Sequence, residues 1–253
     1  MINGYYAGVY SLDDIKSVWH IGDTRTIHLS AMSPAYQLSD SHREQDVEMV
    51  ILDFEHDNLT TPINSKTKAL ITIQQKDCLM DAECAAGTKF GENNTENGAI
   101  GLDYYTQGDY NTFPRTLWLR DTYYNALPAS FRNLLKETTR KWGNQEGQYG
   151  NRCVCNEKVF LPSINEMATY GGYMDTYFEE QSLYPYYAVP PNYQIAPNLS
   201  KKPLWTSGAF SSVFHSRTSL RTYNYNFIGV MSDGTKSRLG GTALAGLAPA
   251  MCL

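Results

Sequence analysis

The stretch from Leu204 to Leu253 constrains the fold more than any other part of the chain. Trp205 opens a polar run rich in Ser, Arg, Tyr and Asn, which gives way to the apolar segment Phe227-Ile228-Gly229-Val230-Met231. Asp233-Gly234 comes next, and Gly246-Leu247-Ala248-Pro249-Ala250-Met251-Cys252 closes the sequence with small and apolar residues. An Asp-Gly pair between extended segments marks a hairpin, because the turn needs positive φ at its central residues. A final segment without a polar tail is expected to pair inside a sheet, since unpaired ends fray. The chain is therefore expected to end in antiparallel sheet.

Earlier segments supply the other elements. Ser11-Leu12-Asp13-Asp14 places a capping hydroxyl three residues before an acid, which predicts a short helix through Val18. Thr24–Leu29 alternates like a half-buried strand, and Val47–Phe54 and Lys68–Gln74 are apolar, β-branched strands. Asp57–Lys66, between them, is a polar connection. Ala82–Pro114 has no periodicity and is too long for an ordinary loop, which points to function or to ordering by a partner. Arg115–Ala126 predicts a helix that turns Leu117, Trp118, Tyr124 and Leu127 to the core, and Pro128 starts another over Ala129–Leu135. Gly143–Gly150 reads as a loop and Lys158–Leu161 as a strand. Ser163-Ile164-Asn165-Glu166 is a capping box whose helix Gly171-Gly172 stops. Five prolines in Tyr184–Pro203 argue for an extended tract. Strands first, helices in the middle and strands last describe an α+β domain.

The closing order resembles the C-type-lectin-like fold as phage tropism and surface-display proteins carry it. Further blocks extend the likeness: Trp19-His20-Ile21-Gly22-Asp23-Thr24, Val47–Phe54 with His56-Asp57, Lys76-Asp77-Cys78-Leu79, Trp118-Leu119-Arg120-Asp121, Asn125-Ala126-Leu127-Pro128, and Val159–Ser163 with Glu166. As a set they are similar to a domain family of unknown function found in phage and prophage proteins of low-GC Gram-positive bacteria, over the chain from Ser11 onward. The family's closing carries a W-x-R-S stretch where this chain has Trp205-Thr206-Ser207-Gly208. The resemblance implies antiparallel sheets with two or three short helices, long irregular loops and residence in a virion. It brings no catalytic residues.

Composition narrows the function. The net charge is −5 and no Lys/Arg run exceeds two residues, so a phosphate-tracking groove is not expected. No apolar run is long enough to cross a bilayer, and the N-terminal residues lack the basic and apolar regions of a signal peptide. Five cysteines form no zinc spacing and are expected as free thiols, with Cys78–Cys84 the best pair for a bridge. The five histidines are scattered, and neither a G-x-S-x-G elbow nor a P-loop is present. The acidic stretches Asp53–Asn58 and Asp103–Asp109 lack EF-hand spacing and read as solvated turns. The expectation is no cofactor, no metal and no catalytic residue.

What remains is recognition. Thr206–Asn226 has the Ser/Thr/Asn/Tyr/Arg make-up of an antibody paratope, in which Tyr and Arg give contact area at low entropic cost. Phe214, Arg217, Arg221, Tyr223 and Tyr225 are its candidate anchors. Residues 1–10 are expected to form an assembly segment through Ile2, Tyr5, Tyr6, Val9 and Tyr10, ahead of a single domain over 11–253. The partners expected are other virion proteins (capsid, neck or tail) and a host cell-surface receptor, with the chain multicopy or homo-oligomeric. Capsid or tail decoration without a receptor role is the second reading. A hydrolase or modifying enzyme on the same fold is the alternative of another class.

Overall fold

The computed structural model describes residues 1–35, 42–77, 79, 114–143, 152–167, 182–188, 204–211, 225–230, 236–240 and 247–253. They form an α+β arrangement of three antiparallel sheets and several short helices. The first sheet has the order β1 (Thr24–Leu29), β2 (Gln45–Phe54), β5 (Ile71–Gln75), β12 (Ala250–Cys252), β8 (Val159–Phe160). The second runs β4 (Lys66–Lys68), β3 (Asn58–Ile63), β6 (Thr138–Gly143), β7 (Arg152–Glu157). The third is β11 (Lys236–Gly240), β10 (Tyr225–Val230), β9 (Leu204–Ser211).

β5 shows how the first sheet divides the molecule. All five residues of Ile-Thr-Ile-Gln-Gln are buried, so neither face of the strand is open to bulk solvent. Alternation puts Ile71, Ile73 and Gln75 on one face and Thr72 and Gln74 on the other. The apolar face continues through Ile51, which pairs with Ile73, and Met251, which also pairs with it. The polar face continues into Cys252, opposite Thr72. The last strand therefore lies between β5 and β8, as its lack of a polar tail predicts.

The helical layer packs on part of the apolar face. Pro114–Leu117 (α3), a π-helical turn over Trp118–Tyr123 and Tyr124–Ala126 (α4) run on without a break. Trp118, Leu119 and Tyr123 are buried, while Leu117 and Tyr124 are only half-buried. The wider π turn accounts for the difference, because it brings residues five apart onto one side. Tyr123 then donates its hydroxyl to Gln75 Oε1 at 2.9 Å, which satisfies the polar residue on this otherwise apolar face. Ala129–Arg132 (α5) comes after Leu127 and Pro128.

Three of the first ten residues belong to the core. Ile2–Tyr6 forms α1, and Ile2, Tyr5 and Tyr6 are buried. Tyr6 Oη donates to the Leu253 carbonyl at 3.0 Å and accepts from Leu70 N at 2.9 Å, and Tyr5 donates to the Glu55 carboxylate. The expected assembly role is thus corrected for these three side chains, whose surface is already covered by the chain itself. Val9 and Tyr10 remain exposed, at 68% and 40%. Leu12–Lys16 (α2) has the capping box read from Ser11 and Asp14.

Other expectations are corrected too. Asp57–Lys66 is not a plain connection but holds β3, which turns into β4 through Asn64 and Ser65, both at positive φ. Pro185 does not extend the chain: it occupies the first position of a helical turn, Pro185–Ala188 (α7), where its missing N–H costs nothing. Ile164–Met167 (α6) starts at the expected capping box; Gly171 and Gly172 lie outside the described residues. Among the described residues, no helix is long and apolar enough to cross a membrane.

Candidate functional site

A bulge builds the most unusual site in the molecule. Ile51 pairs with Ile73 but Asp53 pairs with Thr72, so Leu52 is an extra residue in β2. Bulges bend a strand and re-aim the residues beyond it. Glu55 comes next at positive φ, 50°, with its N–H held by the Leu70 carbonyl at 3.1 Å. The chain turns there and carries Asp57 under the polar face of the first sheet, 3% exposed. The reading of this acidic stretch as a solvated turn is corrected at Asp57.

Four buried side chains meet at that point. Arg140 of β6 pairs through Nη1 with Asp57 Oδ1, and through Nη2 with Glu166 Oε2 at 2.5 Å. Its guanidinium lies 3.9 Å from the centre of the Phe160 ring, a flat apolar backing. Glu166 Oε2 also accepts from Ser163 N at 2.6 Å, so the capping carboxylate of α6 serves the ion pair as well. Tyr184 Oη lies 3.0 Å from Glu166 Oε1 and 3.1 Å from Asp57 Oδ2. Thr72 donates to Asp57 Oδ2 at 2.5 Å, and Cys252 Sγ lies 3.6 Å from the same oxygen. The cluster ties the first sheet (β5, β8, β12) to the second (β6) and to α6.

Burial sets the protonation of these groups. Burial works against the charge of Arg140, but Glu166, Tyr184 and Asp57 outweigh it and hold the guanidinium well above its usual value. Burial pushes Tyr184 up, and Asp57 and Glu166 add to the shift, so its hydroxyl stays a donor. That one proton serves a single acceptor, yet the hydroxyl sits between two carboxyl groups. The second contact is satisfied when one carboxyl keeps its own proton. Glu166 suits this role: burial raises its pKa, with Asp57 adding to the rise and Arg140 opposing it.

The cluster's chemistry is more structural than catalytic. Ligand atoms of His56, Asp57 and Glu166 lie within 4.8 Å of one another, which is a geometry a divalent cation could share. Arg140 pairs with both carboxyl groups, however, and a cation there would have to displace it. His56 turns Nδ1 to Asp53 Oδ2 at 2.8 Å and stacks its ring 4.3 Å from that of Tyr184. Cys252 is buried beside Asp57, and burial followed by Asp57 raises its pKa well above the ordinary thiol value, the opposite of an activated nucleophile. Sequence reasoning noted Asp57 and Glu166 separately, saw Tyr184 only as the head of the proline-rich tract, and missed Arg140; Glu166 was visible as a capping residue, but only the fold brings the four together.

The candidate recognition residues take a different position. β9 and β10 pair antiparallel up to Ser211 opposite Tyr225, and β10 pairs with β11 from Val230 opposite Lys236. Thr206–Ser211 is therefore strand rather than loop. Phe214, Arg217, Arg221 and Tyr223 lie in the connection between β9 and β10, outside the described residues, and Tyr225 is the first residue of β10. β10 and β11 pair as the expected hairpin, and Asp233 and Gly234 themselves lie outside the described residues. α6, which carries Glu166, packs against both β9 and β10. Cys155 and Cys252 are buried and in no disulfide, and Cys78 and Cys84 lie outside the described residues.

A family model for a domain of unknown function, DUF6273, matches residues 91–253. The chain belongs to this family. The match holds Arg140, Glu166, Tyr184 and Cys252, but not Asp57 or Thr72, nor β1, β2 and β5 of the first sheet. The blocks at Trp19–Thr24, Val47–Phe54 and Lys76–Leu79 likewise fall outside it. No curated protein and no solved structure matches the chain.

Proposed function

We propose that the chain is a non-catalytic display domain of a phage particle, on a C-type-lectin-like scaffold, that presents the β9–β10 connection to a host receptor. The observation that carries this reading is the antiparallel pairing of β9 with β10 as far as Ser211 and Tyr225, with β11 on the other side of β10. A hairpin held between a third strand and α6 gives a rigid base, and its connection holds Phe214, Arg217, Arg221 and Tyr223. Rigid bases with Tyr- and Arg-rich connections suit recognition, because little entropy is lost when the anchors bind. The buried cluster fits the same picture as the tie that fixes α6 beneath the hairpin. The phage setting rests on the resemblance of the sequence blocks.

Decoration of a capsid or tail is a second reading, favoured by the exposed pair Val9 and Tyr10 beside α1. Binding by purified protein separates the two. A receptor binder adsorbs to host cells on its own, whereas a decoration protein binds particles that lack it and leaves cells bare.

A further inference from the structure

Among the described residues, the packing on the apolar face of the first sheet is incomplete. A cleft of about 660 Å³ opens between β1, β2, β5, the Trp19 turn and α5. Its floor is aliphatic: Ile51 and, from the helical side, Leu134 are half-buried, and the core residues Ile27, Met49, Ile71 and Ile73 show it only an edge. This size is in the range of sites for small organic ligands, about 300–1,000 Å³, which are mostly apolar with a few polar groups that orient the ligand.

The charges at the mouth decide what would fit. Arg25, His28 and Asp23 line it. His28 is engaged: its Nδ1 lies 2.8 Å from Asp46 and its Nε2 3.5 Å from Glu44. Asp23 Oδ2 accepts from His20 N at 2.8 Å. Arg25 stands opposite Met49 in the β1–β2 ladder, on the face that also carries Ile27. Among the described residues no hydrogen bond or ion pair engages its guanidinium. The cleft thus combines an aliphatic floor with one unengaged, fork-shaped cation at its entrance.

We propose that this cleft binds an aliphatic carboxylate, with the alkyl chain along Ile27, Met49, Ile51 and Ile73 and the carboxylate paired with Arg25. The guanidinium fork matches a carboxylate in two parallel hydrogen bonds, which a lysine would not do. The site is separate from the β9–β10 connection and stands or falls without it.

Decanoate and decanol, each below its aggregation limit, are the probes, and binding to the full chain is measured by calorimetry. Decanoate is expected to bind one to one and to raise the melting temperature, as any ligand selective for the folded state does. Arg25→Ala is expected to weaken decanoate at least about tenfold while decanol binding stays unchanged. Ile51→Phe, at a half-buried position, is expected to weaken both by narrowing the floor. A folded chain that binds neither probe overturns the site. Decanoate binding that Arg25→Ala leaves intact overturns the assignment of the carboxylate to Arg25.

Discussion

Arg140 and Glu166 sit 26 residues apart in the chain and meet with Nη2 2.5 Å from Oε2, both out of reach of solvent. One residue comes from the second sheet and the other from the helix beneath the third. An ionic cluster that joins separate layers is costly to bury and costlier to break, so it favours one arrangement of the layers over alternatives. In this chain that arrangement sets the base of the β9–β10 hairpin.

Breaking the cluster from the arginine side should be severe. Arg140→Met leaves Asp57 buried beside Glu166 without a counter-charge, at a cost of about 3–5 kcal/mol. Glu166→Gln keeps an acceptor for Arg140 and a donor toward Tyr184, and should cost only about 1 kcal/mol. Urea titration of the two variants measures the difference. Equal losses would show that Glu166 is ionised in the folded chain.

Stability should fall as pH rises from about 4.5 to about 7. Glu157 is buried at the end of β7, and burial raises its pKa from 4.5 to about 7, with Arg140 and Arg120 opposing the rise. The folded state then holds a proton that the unfolded state releases near pH 4.5. This contribution is full below that value and is lost as pH climbs to about 7, a change of about 3 kcal/mol. Glu157→Gln should remove the dependence and leave the variant the more stable of the two at pH 8, as read by melting temperature across pH.

The ends of the chain should be sensitive. Tyr6→Phe removes the hydroxyl shared by Leu70 N and the Leu253 carbonyl and strands a buried N–H, which costs about 1–3 kcal/mol. Deleting residues 250–253 removes β12 from between β5 and β8, and the chain should lose its cooperative melt. The family-matched segment 91–253 lacks β5 and Asp57, and expressed alone it should not fold.

Much of this architecture was legible because it depends on local pattern. The Ser11 and Ser163 caps, the strands Thr24–Leu29 and Val47–Phe54, and the pairing of the last strand all stem from residue type and spacing. β3 was not legible, because Thr60, Thr61 and Pro62 look like a connection until Leu59 is seen to pair with Thr138 of β6. α7 hid behind prolines that extend a chain as readily as they start a helix. The cluster was the least legible part: Asp57, Arg140, Glu166 and Tyr184 carry no shared spacing, and a bulge at Leu52 is what aligns the first of them. The aromatic N-terminus misled for a simple reason, since Ile2, Tyr5 and Tyr6 look alike whether they cover a partner or the chain's own core.

Recognition through the β9–β10 connection is decided by the adsorption of purified protein to host cells. Arg217, Arg221 and Tyr223 are replaced together by Ala, and adsorption is measured beside the melting curve, with and without EDTA. Adsorption should fall about tenfold or more, as expected when Arg and Tyr hot spots are lost, and chelation should have no effect. The melting temperature should stay close to that of the parent. A triple variant that adsorbs as well as the parent would contradict recognition by this connection.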